Sequence, residues 1–210
     1  MTTLSDGQLL RAWIAGDHAA FGALVVCHEA ALLRHARALL GPNGGHEDVV
    51  QEAFLRLTKS PPELPDREDG GGQAEHALLA GWLHRVTRNL CMDTLRADSR
   101  RRTREEFSAP PEALMPDDSV DAADTRAAVE RSLERLPQDQ REVLVLRLLA
   151  ERSYREIAEI TGRKIGTVGW LVSVGLRALA GELAPHLGME PVVGIGSVTG
   201  VAQASQGGAS

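Results

Sequence analysis

A chain of 210 residues is long enough for one medium hydrophobic core or two small ones. Its net charge of -6 argues against nucleic-acid binding through overall charge, and 3% aromatic content leaves aliphatic side chains to build the interior, which favours packed helices. No apolar run approaches the roughly 18 residues of a membrane span, and the polar N-terminus around Asp6 lacks the basic start and apolar stretch of an export signal. A cytoplasmic chain without membrane insertion is therefore expected.

From Leu9 to Leu40 apolar residues recur at three- and four-residue steps, the period of an amphipathic helix, and Asp17 has the chemistry of a cap where this stretch divides in two. GPNGG at 41 to 45 stops the pattern. HEDVVQEAFLRLTK then reads as a second amphipathic unit, with Val49, Val50, Ala53, Phe54 and Leu57 on one face and Glu47, Asp48, Gln51, Glu52 and Arg56 on another. Residues 60 to 75 carry too much proline, glycine and acid for regular structure and are expected to form a surface loop. Helical periodicity returns at Ala77, with Leu79, Trp82, Leu83, Val86, Leu90 and Leu95 marking the buried side.

The overall acidity hides a sharp local asymmetry. Seven arginines lie between Arg85 and Arg104 against Asp93 and Asp98, whereas nine acidic residues between Glu105 and Glu134 face only Arg126 and Arg131. Trp82, Arg85, Arg88, Asn89 and Arg96 make a ridge of cationic and amide donors suited to a strand backbone and to unstacked bases. An ordinary solvated face with a basic tail is the plainer reading of the same residues. Residues 105 to 123, rich in proline, acid and small side chains, read as a flexible acidic linker holding two helical cores apart.

Beyond the linker, QDQREVLVLRLLA should direct Val143, Leu144, Leu146, Leu148 and Leu149 inward. Ser153 and Glu156 have capping-box spacing, so a helix is expected to begin there, with Tyr154, Ile157, Ala158 and Ile160 as its inner face. Gly162 occupies the turn, and Thr167 leads a longer helix whose Val168, Leu171, Val172, Leu176, Leu179 and Leu183 form an apolar stripe. This helix-turn-helix pattern leaves Arg163, Lys164, Thr167, Trp170, Ser173 and Arg177 for a DNA groove. Its positive charge is small, so a second source of binding energy is needed; two packed helices in a protein-binding domain are the alternative. After residue 187 the glycine-rich tail is expected to be disordered.

No catalytic constellation emerges, and no cofactor or metal is expected. The seven histidines are scattered, and neither Cys27 beside His28 nor His84 seven residues before Cys91 supplies a ligand set; buried thiols and surface imidazoles account for them.

EDVVQEAFLRL (47 to 57), GWLHRVTRNLCMDTLR (81 to 96) and LPQDQREVLVLRLLAERSYREIAEITGRKIGTV (136 to 168) together resemble bacterial RNA polymerase sigma factors of the small extracytoplasmic-function type. The resemblance implies an all-α protein: an N-terminal sigma domain at 5 to 104, a linker at 105 to 123, a helix-turn-helix domain at 124 to 186 and a tail at 187 to 210. It implies that Asp48, Gln51, Glu52 and Phe54 contact core polymerase. The minus-ten element would fall to Trp82, Arg85, Arg88, Asn89 and Arg96, and the minus-thirty-five element to Arg163, Lys164, Thr167, Trp170, Ser173 and Arg177. Its partners would be core RNA polymerase, promoter DNA and an anti-sigma factor, with a monomer when free. Polymerase would supply the missing energy by tethering two weak readers. The chain departs from the family's basic pattern at VGWLVSVG, 168 to 175. Two other readings stay open: a dimeric regulator that binds duplex DNA unaided, and a polymerase-binding decoy that does not initiate.

Overall fold

Side-chain caps set the first helix boundaries. The computed structural model describes residues 4–41, 44–64, 72–105 and 124–183, and all their regular structure is helical. Ser5 accepts from the backbone N–H of Gln8 while the Gln8 side chain accepts from the Ser5 N–H, a reciprocal box that starts α1 (Asp6–Ile14). Asp17 accepts from Ala19 and Ala20 and opens α2 (His18–Leu40), as its position in the sequence suggests. Next come α3 (His46–Lys59) and α4 (Gly72–Glu105). The expected loop is therefore shorter at its C-terminal end, because residues 72–75 already belong to α4; residues 65–71 lie outside the described part.

These four helices enclose one core. Leu24, Leu32, Leu57, Leu79 and Leu83 are fully buried in it, each worth roughly 1.5–3 kcal/mol of transfer free energy. Trp13, Phe21 and Phe54 form a chain of rings along one side.

The second group comprises α5 (Asp124–Arg135), α6 (Gln138–Leu144), a π-helical segment (Val145–Leu149), α7 (Tyr154–Thr161) and α8 (Ile165–Leu183). Its core contains Val143, Leu144, Leu146, Ile157, Val168 and Val172. The wider π turn, closed by Ala150 N–H donating to the Val145 carbonyl, rotates the helix face. Val145 is consequently buried and Leu148 is exposed, reversing the inward placement expected for Leu148. Tyr154 also lies outside the core, with the Arg147 guanidinium 5.4 Å from its ring centre, and Leu176 is exposed at the edge of the α8 stripe. Ser153 and Glu156 form the capping box, and Gly162 closes α7 at φ 70°, a left-handed conformation open to glycine at little cost.

The two cores are not held apart. Helix α2 packs on α6 and the π segment, α4 packs on α7, and Ala38 of α2 belongs to the second core. Polar bonds fasten the seam: Arg37 donates to Glu134 at 3.0 Å, Gln138 to the Leu39 carbonyl and Arg34 to the Leu149 carbonyl. The expectation of separated cores rested on the composition of the connector, but apolar and ionic faces on α2 and α4 find complements across the gap. Residues 106–123 of the linker, and the tail from 187, lie outside the described residues.

Candidate functional site

Three surfaces carry the residues singled out from the sequence. On α3, Asp48, Gln51 and Glu52 lie on the outer side, and Glu52 accepts from Arg56 one turn later. Phe54 is 7% exposed and meets Phe21 edge to face. It works first as a core residue, yet its rim joins Val25, Leu33, Gln51 and Leu55 in lining a groove of about 450 Å³ between α2 and α3. An apolar floor with an acidic margin at Glu29 and Glu47 suits an amphipathic partner helix with basic flanks.

On α4 the expected cationic ridge divides. Arg85, Asn89 and Arg96 are exposed, although Arg96 is engaged by Asp93 three residues earlier, whereas Trp82 is half-buried against the first core. Arg85 borders a cleft shared with Glu156 and Glu159 of α7. Arg88 points across the seam, where its Nε donates to Glu142 Oε1 at 2.7 Å.

Glu142 was not singled out from the sequence, yet it is the hub of the interface. It is 1% exposed, and its second oxygen accepts from Arg163 at 2.8 Å. Arg163 also pairs with Asp139. His35 Nε2 stands 3.7 Å from Glu142 Oε1 and makes no hydrogen bond, while its Nδ1 lies 3.1 Å from Nδ1 of His84, so one of those nitrogens carries the shared proton. Burial pushes the Glu142 carboxyl upward, but His35, Arg88 and Arg163 outweigh it and hold the group at about 2. Burial, then the charges of His35 and Arg152, hold His84 well below the usual imidazole range. Burial raises the Cys91 thiol to about 12, so it is inert as a nucleophile.

One carboxylate thus occupies an arginine from each of the two expected DNA readers. Helical periodicity exposes α6 residues to view but does not say that Glu142 faces α4; only its place directly before the apolar run VLVL hinted at a buried charge.

The α8 surface is open. Lys164, Thr167, Trp170, Ser173 and Arg177 are all exposed, with Trp170 at 61%, whereas Val168, Leu171, Val172 and Leu179 face inward. The glycines that thin out its charge have different settings. Gly175 is buried against α6, where a Cβ would sit 3.0 Å from Leu144 Cδ1, and Gly169 meets Tyr154 at an ordinary 3.8 Å.

The histidines also depart from expectation. His28, His35 and His84 are buried and Cys27 is exposed. Asp6, His28 and His76, distant in sequence, converge with their donor atoms within 4.8 Å of one another. Sequence spacing offers no signal for such a meeting, because each comes from a different helix.

Comparison with known proteins gives these surfaces a context. Residues 126–179 match the family described as Sigma-70, region 4. Over 166 residues the chain is 33% identical to the ECF RNA polymerase sigma factor SigM of Mycobacterium tuberculosis, with 78% of this chain and 77% of that protein covered. Over 193 residues it is 28% identical to the ECF RNA polymerase sigma-E factor of Escherichia coli, covering 87% and 96%. Among solved structures, CnrH in complex with the cytosolic domain of CnrY is similar at a TM-score of 0.54 and 26% identity, covering 84% of this chain and 96% of that one. The fold is also that of the sigma factor RpoE in complex with the anti-sigma factor NepR from Bartonella quintana, at a TM-score of 0.59, 24% identity and coverage of 78% and 96%. By the mycobacterial match, which covers more than three quarters of both chains, this chain belongs to the extracytoplasmic-function RNA polymerase sigma factors of the sigma-70 family.

Proposed function

We propose that this sigma factor docks on core RNA polymerase through the α2–α3 groove and the Asp48, Gln51 and Glu52 side of α3, and directs initiation at a dedicated promoter set. As a member of its family it is not an enzyme; the chemistry of RNA synthesis belongs to the polymerase. Residues 5 to 104 form the polymerase-binding and minus-ten unit, 105 to 123 the linker and 124 to 186 the helix-turn-helix unit. Arg85, Arg88, Asn89 and Arg96 hold the displaced strand, and Trp82, packed on the core, braces that face. Lys164, Thr167, Trp170, Ser173 and Arg177 enter the major groove at the minus-thirty-five element, joined by Arg163 when Glu142 releases it.

The observation that carries this reading is Glu142. By binding Arg88 and Arg163 together it leaves neither reader complete while the two groups are docked. Engagement with polymerase separates them, and the two weak readers then act on one tethered promoter. An anti-sigma factor works in the opposite direction. Its site is the groove of about 250 Å³ formed by Leu33, Arg37 and Ala38 of α2 with Leu133, Val145 and Leu149, which continues into the α2–α3 groove through Leu33 and Glu47.

Run-off transcription with purified core polymerase on a panel of the host's promoters tests the proposal. Transcripts that require this chain are expected. Polymerase binding without a transcript from any promoter would show a decoy, and tight binding to a palindromic duplex without polymerase would show a self-sufficient regulator.

A further inference from the structure

We infer that Asp6, His28 and His76 form a binding site for one divalent transition-metal ion of the zinc class, which clamps the first turns of α1 and α4 onto α2. Asp6 opens α1, His28 lies in the first half of α2 and His76 in the first turns of α4. Both imidazoles aim at the same carboxylate oxygen: His28 Nε2 is 2.8 Å and His76 Nδ1 2.9 Å from Asp6 Oδ2. The two rings stack at 5.1 Å with planes 18° apart, so their nitrogens converge on one point from one side.

The donor set is of the right kind. Two neutral imidazoles and a carboxylate are borderline ligands that suit zinc, cobalt or nickel, whereas magnesium and calcium require oxygen shells. With bonds of about 2.0–2.2 Å, tetrahedral donors stand roughly 3.3 Å apart. The two nitrogen–oxygen separations need to widen by only about half an ångström to reach that value, and the two nitrogens lie within 4.8 Å of each other. On binding, each coordinating nitrogen presents its lone pair to the ion, and its ring keeps its single proton on the other nitrogen. One ion then replaces the two N–H bonds that otherwise converge on Asp6, and water completes the coordination.

The surroundings hold these donors in place before an ion arrives. Asp6 and His28 are 7% and 4% exposed, so their carboxylate and ring have little freedom to reorient. Glu75, the neighbour of His76, is fixed to α1 by the Ser5 hydroxyl at 2.6 Å and by Arg11 at 3.4 Å. Gly7 leaves the space that this carboxylate fills, since a Cβ there would lie 2.3 Å from Glu75 Cδ. The half-exposed His76 provides the way in from solvent.

The test is titration of the metal-free full-length protein with Zn²⁺ against a chromophoric chelator and with Co²⁺ followed by its visible absorption, for the wild type, His76→Gln and His28→Gln. His76→Gln lies at the surface and should keep the wild-type helical content without metal. The inference requires one ion per wild-type chain, a Co²⁺ spectrum of four- or five-coordinate type, and affinity weakened at least about tenfold in His76→Gln. A smaller loss in His76→Gln, or no ion bound by the wild type, would overturn it and leave two imidazoles hydrogen-bonded to a buried carboxylate. Should His28→Gln not fold, His76→Gln alone decides the matter.

Discussion

At the residue scale, the side chains proposed to read DNA from α8 and the turn before it are those that packing leaves over. Val168, Leu171 and Val172 are consumed by the second core, so Lys164, Thr167, Trp170, Ser173 and Arg177 remain on the solvent side, as helical periodicity foretells. Their chemistry differs. Lys164 is a point charge suited to phosphate, whereas Trp170 is a large apolar surface suited to a base edge or a thymine methyl. Lys164→Ala is therefore expected to weaken holoenzyme binding to all promoters alike and to lower the salt dependence of log affinity by about one unit, measured by binding over a salt series. Trp170→Ala should instead lower transcription from cognate promoters about tenfold or more while altering discrimination at one or two upstream positions. Tyr154 and Leu176 show where such reading stops. Both are apolar enough to be assigned inward, but the exposed rim of a small domain accommodates them, and Arg147 covers the Tyr154 ring.

At the scale of elements, caps and turns were legible because their chemistry is local. Ser5, Asp17, Ser153 and Gly162 act within a few residues of themselves, and three of these, Asp17, Ser153 and Gly162, were identified as boundaries from the sequence alone. The π segment was not legible, because one additional residue per turn leaves composition unchanged while rotating Leu148 outward and Val145 inward. Gly175 is likewise silent until α6 is seen against it. A methyl group there would come within 3.0 Å of Leu144 and 3.3 Å of Gln140 Cβ. Gly175→Ala is expected to destabilise the second helical group by up to about 2 kcal/mol in chemical denaturation, since Leu144 and Gln140 must give way in a packed helix pair and the overpacking outweighs the gain in helix propensity. Gly169→Ala, with only an ordinary contact to Tyr154, should gain slightly from helix propensity.

For the whole molecule, the decisive feature is a buried ionic seam between two helical groups whose connector suggested independence. Removing the Glu142 charge leaves Arg88 and Arg163 with an amide in place of a carboxylate. Glu142→Gln should then loosen the docked state, with a larger radius of gyration in small-angle scattering and tighter polymerase-free binding to a promoter fragment than the wild type. Unchanged scattering would show that the apolar contacts of α2 with α6 suffice to keep the seam closed. The seam also predicts a pH response. His84 is kept neutral by burial beside His35, Arg34 and Arg152, whereas in the unfolded chain it takes up a proton below about pH 6.5. The unfolded state binds the extra proton, so this contribution to stability is complete above pH 6.5 and declines as the pH falls below it. Denaturation measured between pH 7 and 5 should show that decline, by up to about 1.36 kcal/mol per pH unit, and His84→Gln should flatten it.

The all-helical class, the division into two cores, the capping residues and the outward face of α8 were all present in the order of the residues. Each depends on periodicity or on contacts spanning a few positions, which a linear chain displays directly. The pairing of Arg88 and Arg163 on Glu142, the meeting of Asp6 with His28 and His76, and the close approach at Gly175 depend on helices that are 21 to 70 residues apart in the chain. No local pattern records which faces will meet, because that choice is made by the summed burial and charge pairing of the docked helices.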